Sequence, residues 1–412
     1  ATRGFKMINI TESENIAVGQ NASLTKHPFL DLLFRSHFLL AAFASIISLF
    51  IWLSFYFHGS LLNKNGISPL VWHTHEMIFS FASTVAVGFI LTAVQTWTGQ
   101  SSIRNGQALF LILLWLFCHT LFWFNTQSSV FVGTLFKGLW WLLIIGAYSR
   151  LVFIAKNRRN YLFIPLLVAI ASLNITVLAL DQLGYVATAL HLSKTAVLLF
   201  TLLIAIVAGR VIPFFTANAT KLSQVKPIIW LDYTILLLSL LSISLFALSG
   251  FYSISISHSY IMVCLGFLHL IRSIHWCNFR LFAIPLLWSL HLSYYFMASG
   301  LIVMGLSYFD LPLNITISQG IHMITVGAIG LMILSMMSRV SLGHTGRLLQ
   351  PKPVITVAFI LMVLATITRS VLPSLGYFSQ AIWISALLWL LAFTIFICVY
   401  FPVLTKARLN KL

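Results

Sequence analysis

The sequence predicts an all-α, polytopic membrane protein of about twelve transmembrane helices, and three observations carry that prediction. First, 60% of the 412 residues are hydrophobic and only 8% charged, with a mean hydropathy of +0.99. Soluble domains carry about a quarter charged residues, so an aqueous fold cannot absorb this composition, whereas a bilayer can. Second, apolar runs of about 18–25 residues recur along the chain, each able to cross ~30 Å of hydrocarbon at ~1.5 Å per residue. Third, the cations fall in short loops between those runs, and mainly in alternate loops.

In chain order the runs lie near 38–57, 71–95, 107–124, 130–154, 161–180, 185–209, 228–250, 258–276, 281–308, 315–338, 353–373 and 378–402. Helix-breaking and polar residues separate them, as in Asn157-Arg158-Arg159-Asn160, Lys226-Pro227 and Pro351-Lys352-Pro353. A polar N-terminal segment (1–36) therefore precedes one transmembrane domain (37–404) and a short tail (405–412). Residues 1–28 show no cleavable signal pattern, and Met7 reads as the natural start.

The loop charges orient the chain. The N-terminal segment carries Arg3, Lys6, Lys26 and Arg35, the fourth-to-fifth loop Arg150, Lys156, Arg158 and Arg159, and the sixth-to-seventh Arg210, Lys221 and Lys226. Arg272 and Arg280, then Arg339, Arg347 and Lys352, then Lys406, Arg408 and Lys411 continue the alternation, whereas the opposite loops offer essentially Lys64. The positive-inside rule then puts both termini in the cytoplasm. The net charge of +17 is thus topological, and because it forms no single patch a nucleic-acid partner is excluded. Cys118, Cys264, Cys277 and Cys398 form no CxxC pair and specify neither a disulfide framework nor a thiolate zinc site.

An internal repeat emerges at a spacing of four helices. The sixth run reads His191…Gly209-Arg210-Val211 and the tenth His322…Ser338-Arg339-Val340, while the second opens on His73-Thr74-His75 and ends Thr96-Trp97-Thr98-Gly99. Three four-helix arcs are expected, each with a histidine-bearing outer part and a polar cytoplasmic end. From His191 to Arg210 is about 28 Å along a helix, and from His322 to Arg339 about 25 Å. Two layers follow: an outer one with His73, His75, His119, His191 and His322, and His291 nearer the midplane, and an inner one with Arg210, Arg339, His344 and Arg347.

Ionisable groups within a bilayer are costly and mark function. Neutral imidazole is the cheapest to bury and a common metal ligand. Each histidine taken singly also reads as a hydrogen-bonding contact between helices, and His73 and His75 as caps of an interfacial helix beside Trp72. Several at one depth on different helices point instead to a metal or haem site, suited to copper, iron or zinc. His73, Glu76 and Met77 share a helical face and His75 points roughly 200° away from His73; Glu76 is the candidate catalytic group. The inner segments, Arg210 to Asn218 and Arg339 to Arg347, are expected to terminate their helices, either as positive-inside anchors or as a site for haem propionates, a quinone head group or another anion.

Several stretches resemble the NnrS family, the haem- and copper-containing membrane proteins of the bacterial nitric oxide response. They are Trp72-His73-Thr74-His75-Glu76-Met77, Gly88-Phe89-Ile90-Leu91-Thr92-Ala93-Val94, Trp97-Thr98-Gly99, Gly209 to Asn218, and His322 to Arg347 with its ending Gly343-His344-Thr345-Gly346-Arg347. One departure is Gln95-Thr96, where the family commonly has Pro-Asn. The resemblance implies b-type haem, copper and protection against nitrosative stress at the bacterial inner membrane. The arcs are also similar to the catalytic subunit of haem–copper oxidases, a likeness of architecture alone.

The expected function is that of a haem–copper protein that binds or reduces nitric oxide, an oxidoreductase if it turns over, with the bilayer and a quinol or other electron donor as partners. The expected division of ligands places haem iron between His75 and His322 and copper at His73 with His191, with His291 a spare for either. Two rivals stand beside it: a twelve-helix secondary transporter for a metal or metal complex, and a haem-based nitric oxide sensor without turnover.

Overall fold

The computed structural model describes residues 27–59, 65–253, 258–311 and 314–409; Met7, Lys64 and Lys411 lie outside the described residues. Twelve membrane-scale helices run in order: α1 (Leu33–His58), α2 (Pro69–Thr98), α3 (Asn105–Phe124), α4 (Gln127–Ile154), α5 (Phe163–Gln182), α6 (Val186–Thr220), α7 (Ile229–Ser249), α8 (His258–Trp276), α9 (Pro285–Leu306), α10 (Ile317–His344), α11 (Pro353–Val371) and α12 (Phe378–Thr405). No strand occurs among the described residues. Eleven of the helices are long and apolar enough to span a membrane, which makes this a multi-pass membrane protein. The exception is α8, whose 19 residues include His269, Arg272 and His275.

Local chemistry sets most boundaries. Pro69, Pro285 and Pro353 open their helices at positions whose amide has no intrahelical partner. Gly59 and Gly99 close α1 and α2 in the left-handed conformation, at φ 70° and 68°. Thr126 and Ser129 form a reciprocal capping box at the start of α4. Two expected ends move. α6 does not stop near residue 209 but continues through Pro213 to Thr220, and α10 runs past Arg339 to His344. A proline inside a buried membrane helix is tolerated where neighbours restore polar partners. One turn before Pro213, Arg272 of α8 packs its guanidinium against Gly209, and it donates to the Ala205 carbonyl a further turn back at 3.0 Å. Asp232 of α7 anchors that guanidinium at 2.7 Å, so α6, α7 and α8 are pinned together.

Apart from α2 and α3, successive helices pack closely side by side and α12 returns to α1, so the bundle closes on itself. Inside it stand α2, α6 and α10, the most buried of the apolar spans, with 78%, 67% and 67% of their apolar windows buried. α6 touches both of the other two. These are the helices whose sequences repeat at a spacing of four, so the repeat marks the interior positions of the bundle. Two of them share a further irregularity that the sequence does not announce. α2 is π-helical from Glu76 to Ala82 and α10 from Met323 to Gly330, each directly after a histidine. Such widened turns occur mostly at functional sites, because they re-aim the side chains around them.

Small residues let helices approach closely. A methyl group on Gly320 of α10 would stand 2.5 Å from the Met304 backbone nitrogen of α9. Gly320→Val is therefore expected to cost about 1–3 kcal/mol by overpacking a close helix pair, read as a lowered unfolding temperature in detergent. An unchanged unfolding temperature would show that the α9–α10 contact is not tight.

Candidate functional site

Two polar clusters occupy the outer part of the bundle, and they divide the predicted residues differently from the expectation. In the first, the His73 ring of α2 stacks on Trp52 of α1 at 4.4 Å, and its Nδ1 is buried without a partner. His322 of α10 holds its Nδ1 against the Ser318 carbonyl at 2.7 Å. His73 and His322 are electrostatic neighbours, and Arg369 of α11 acts on both. Arg369 was not anticipated, since the outer side had been assigned essentially Lys64. Its signal was nonetheless present: a lone cation in the cation-poor half of an apolar run.

The second cluster lies among α1, α2, α3 and α4 and centres on Glu76, which is 1% exposed. Its Oε1 meets His75 Nδ1 at 3.0 Å and accepts from Ser80 at 2.9 Å, with His119 Nδ1 at 3.6 Å. Its Oε2 accepts from Ser48 at 3.0 Å and from the Trp123 indole at 3.1 Å. Lys137 of α4, wholly buried, stands 3.5 Å from His119 Nε2 and 4.5 Å over the Trp140 ring. An acid and a base thus share one desolvated cage, which offsets the cost of burying either charge alone. Glu76 consequently belongs with His75 and not, as the shared helical face implies, with His73. The π-helix that begins at Glu76 breaks the regular register on which that expectation rests. Lys137 was missed because a single lysine in a long apolar run also reads as a snorkelling side chain.

The remaining outer histidine stands apart. His191 of α6 is bound to the Phe246 carbonyl of α7 at 2.7 Å and stacked on that ring at 4.6 Å. Among the described residues it has no polar contact with His73, so the expected His73–His191 pairing is not brought together. His291, seven residues into α9, has Nε2 2.9 Å from Thr216 Oγ1 of α6.

The inner layer does not converge on one point. Arg210 turns to α5, donating to Asn160 Oδ1 at 2.7 Å and to the Arg159 carbonyl, with its guanidinium over Phe163. Arg339 instead lies 3.7 Å over Phe215 of α6. His344 packs beside Phe34, with Arg35 and Arg408 nearby, and Arg347 donates to the Thr345 carbonyl at 3.3 Å. The chain's end is stitched to this face by Leu409 N to Thr345 O at 3.0 Å and by Arg35 to the Lys406 carbonyl at 2.7 Å.

The donor sets can be tested against the groups that the sequence implied. His73 and His322 fit an iron held by two imidazoles. His73 has an orphaned ring nitrogen, and His322 has Nδ1 fixed by a carbonyl so that Nε2 is left to ligate, the usual arrangement of a metal-bound histidine. Arg369 adds a cation suited to a propionate. For copper, no group of three or more His, Cys, Asp or Glu side chains among the described residues is arranged to hold a metal ion. No step through copper is therefore derived.

The sequence profile of one family, described as NnrS protein, matches residues 28–408, nearly the whole chain. A search of curated proteins returns no match.

Proposed function

We propose, because the chain belongs to the NnrS family of nitric oxide response membrane proteins, that it binds nitric oxide at a haem held between α2 and α10. The observation that carries this reading is that His73 and His322, near the same end of two interior helices that each turn π-helical nearby, lie within electrostatic reach of one another and of Arg369. A haem iron would supply a redox-active centre with affinity for the gas, which would take the place of one of the two imidazoles. The protein's own residues do the rest. Trp52 fixes the plane of His73 by stacking, and the Ser318 carbonyl fixes the tautomer of His322. Arg369 offers a guanidinium to a carboxylate, and the surrounding apolar helices exclude water while admitting an uncharged gas. Reduction of nitric oxide would further require an electron donor, for which a quinol is the proposed class, and the Glu76 cage is the proposed proton-bearing neighbour. Copper remains part of the family reading, without an assigned site.

Reactivity is placed at the haem and not at a thiol. Cys118 is buried and Cys264, Cys277 and Cys398 lie on outward faces of their segments, none of them paired. The purified, reduced protein is expected to show a haem spectrum that shifts on addition of nitric oxide, and a variant with all four cysteines changed to serine to shift identically. Absence of haem absorbance, or a shift lost in the cysteine-free protein, would overturn the reading. A shift without nitrous oxide formation under excess reductant would make the protein a binder or sensor.

A further inference from the structure

The geometry points to a holding site for a small, uncharged apolar gas in the cavity among α2, α6 and α10. The cavity measures about 80 Å³, and no polar atom lines it. Ala82 and Ala86 of α2, Val207 of α6 and Ile333 and Met336 of α10 form its walls, with Phe38 of α1. Water needs about two to four polar partners to occupy such a space, and apolar cavities of ~150 Å³ stay dry yet take up xenon or benzene. Ions and hydrogen-bonding solutes are excluded because nothing there replaces their hydration. The volume falls below the ~300–1,000 Å³ of sites for drug-sized ligands, which leaves molecules of a few atoms.

Position makes the cavity useful. From His322 to Ile329, or from His73 to Ala82, is roughly 10–14 Å along the helix at ~1.5 Å per residue, so the cavity begins directly inward of the outer histidines. On its other side, Arg339 follows Met336 by one helical turn and Phe215 follows Val207 by two, which keeps both on the cavity-facing stripes of α10 and α6. They stack on one another at 3.7 Å beyond that end without lining the cavity, which is partly open along its apolar walls. That the gas is nitric oxide rests on the function proposed above; the capacity of the cavity for an apolar gas does not.

Xenon is the probe. In the purified full-length protein, xenon-129 NMR is expected to report saturable binding, abolished by Ala86→Leu and by Val207→Phe. The two changes fill the cavity from different helices, so that misfolding of one leaves the other informative. Both variants are expected to keep the haem spectrum while the nitric oxide-induced shift develops several-fold more slowly. No saturable xenon binding in the unaltered protein, or unchanged binding in both variants, would overturn the assignment. Loss of haem from both variants would also overturn it, since the macrocycle would then occupy the space. Saturable xenon binding lost in both variants, in a protein whose spectrum ignores nitric oxide, would keep the gas site and refute the proposed function instead.

Discussion

Replacing His73 or His322 with alanine is expected to lower the haem content of the purified protein by about tenfold or more, while His75→Ala leaves it near the unaltered level. The contrast follows from which nitrogen atoms are committed. His75 gives Nδ1 to Glu76 inside the four-helix cage, whereas His73 keeps an unpartnered Nδ1 and His322 has Nδ1 fixed by the Ser318 carbonyl. The measurement is haem per protein by pyridine haemochrome absorbance, alongside a check that each variant inserts and remains monodisperse. Undiminished haem in both His73→Ala and His322→Ala would remove the proposed axial pair. Loss in His75→Ala with retention in His73→Ala would return the iron to His75 and His322, the division expected from the sequence.

The second large effect concerns the Glu76 cage and is one of stability. Glu76→Ala leaves the donors of Ser48, Ser80 and Trp123 without their acceptor and removes the carboxylate whose charge acts on the buried Lys137. Removing one partner of a buried charge pair typically costs about 3–5 kcal/mol, so a steep fall in the detergent unfolding temperature is expected. Lys137→Met should destabilise in the same direction by stranding the carboxylate. The double variant Glu76→Gln/Lys137→Met removes both charges at similar volume and is expected to lose less than Glu76→Gln and Lys137→Met, each made singly, added together. A double-mutant cycle reads that coupling directly, and strict additivity would show that Glu76 and Lys137 do not sense one another through His119.

Both predictions turn on features of unequal legibility. Every one of the twelve spans has its counterpart in a helix, because membrane insertion depends on hydropathy summed over a window, a local and nearly additive property. The likeness of α2, α6 and α10 was also legible, as a repeat of histidine near one end and arginine or a polar turn near the other, whereas their interior position is a finding of the structure. Helix ends were less so. α6 overran its expected stop, since Pro213 stands inside a helix that continues to Thr220.

The order of residues was thus sufficient to establish that this is a many-helix membrane protein with polar groups buried at two depths, and to nominate the histidines. It did not establish which of them meet. His73 and His75 are separated by one residue, yet one stacks on Trp52 with its Nδ1 unpartnered and the other is bound to Glu76 in the cage of α1 to α4. The partners Arg369 and Lys137 come from helices far along the chain. Side-chain convergence is set by how each helix is rotated about its axis, and that rotation is chosen by close packing, as at Gly320, and by the two π-helical segments in α2 and α10. These are contacts between distant segments, so no pattern within a single run encodes them.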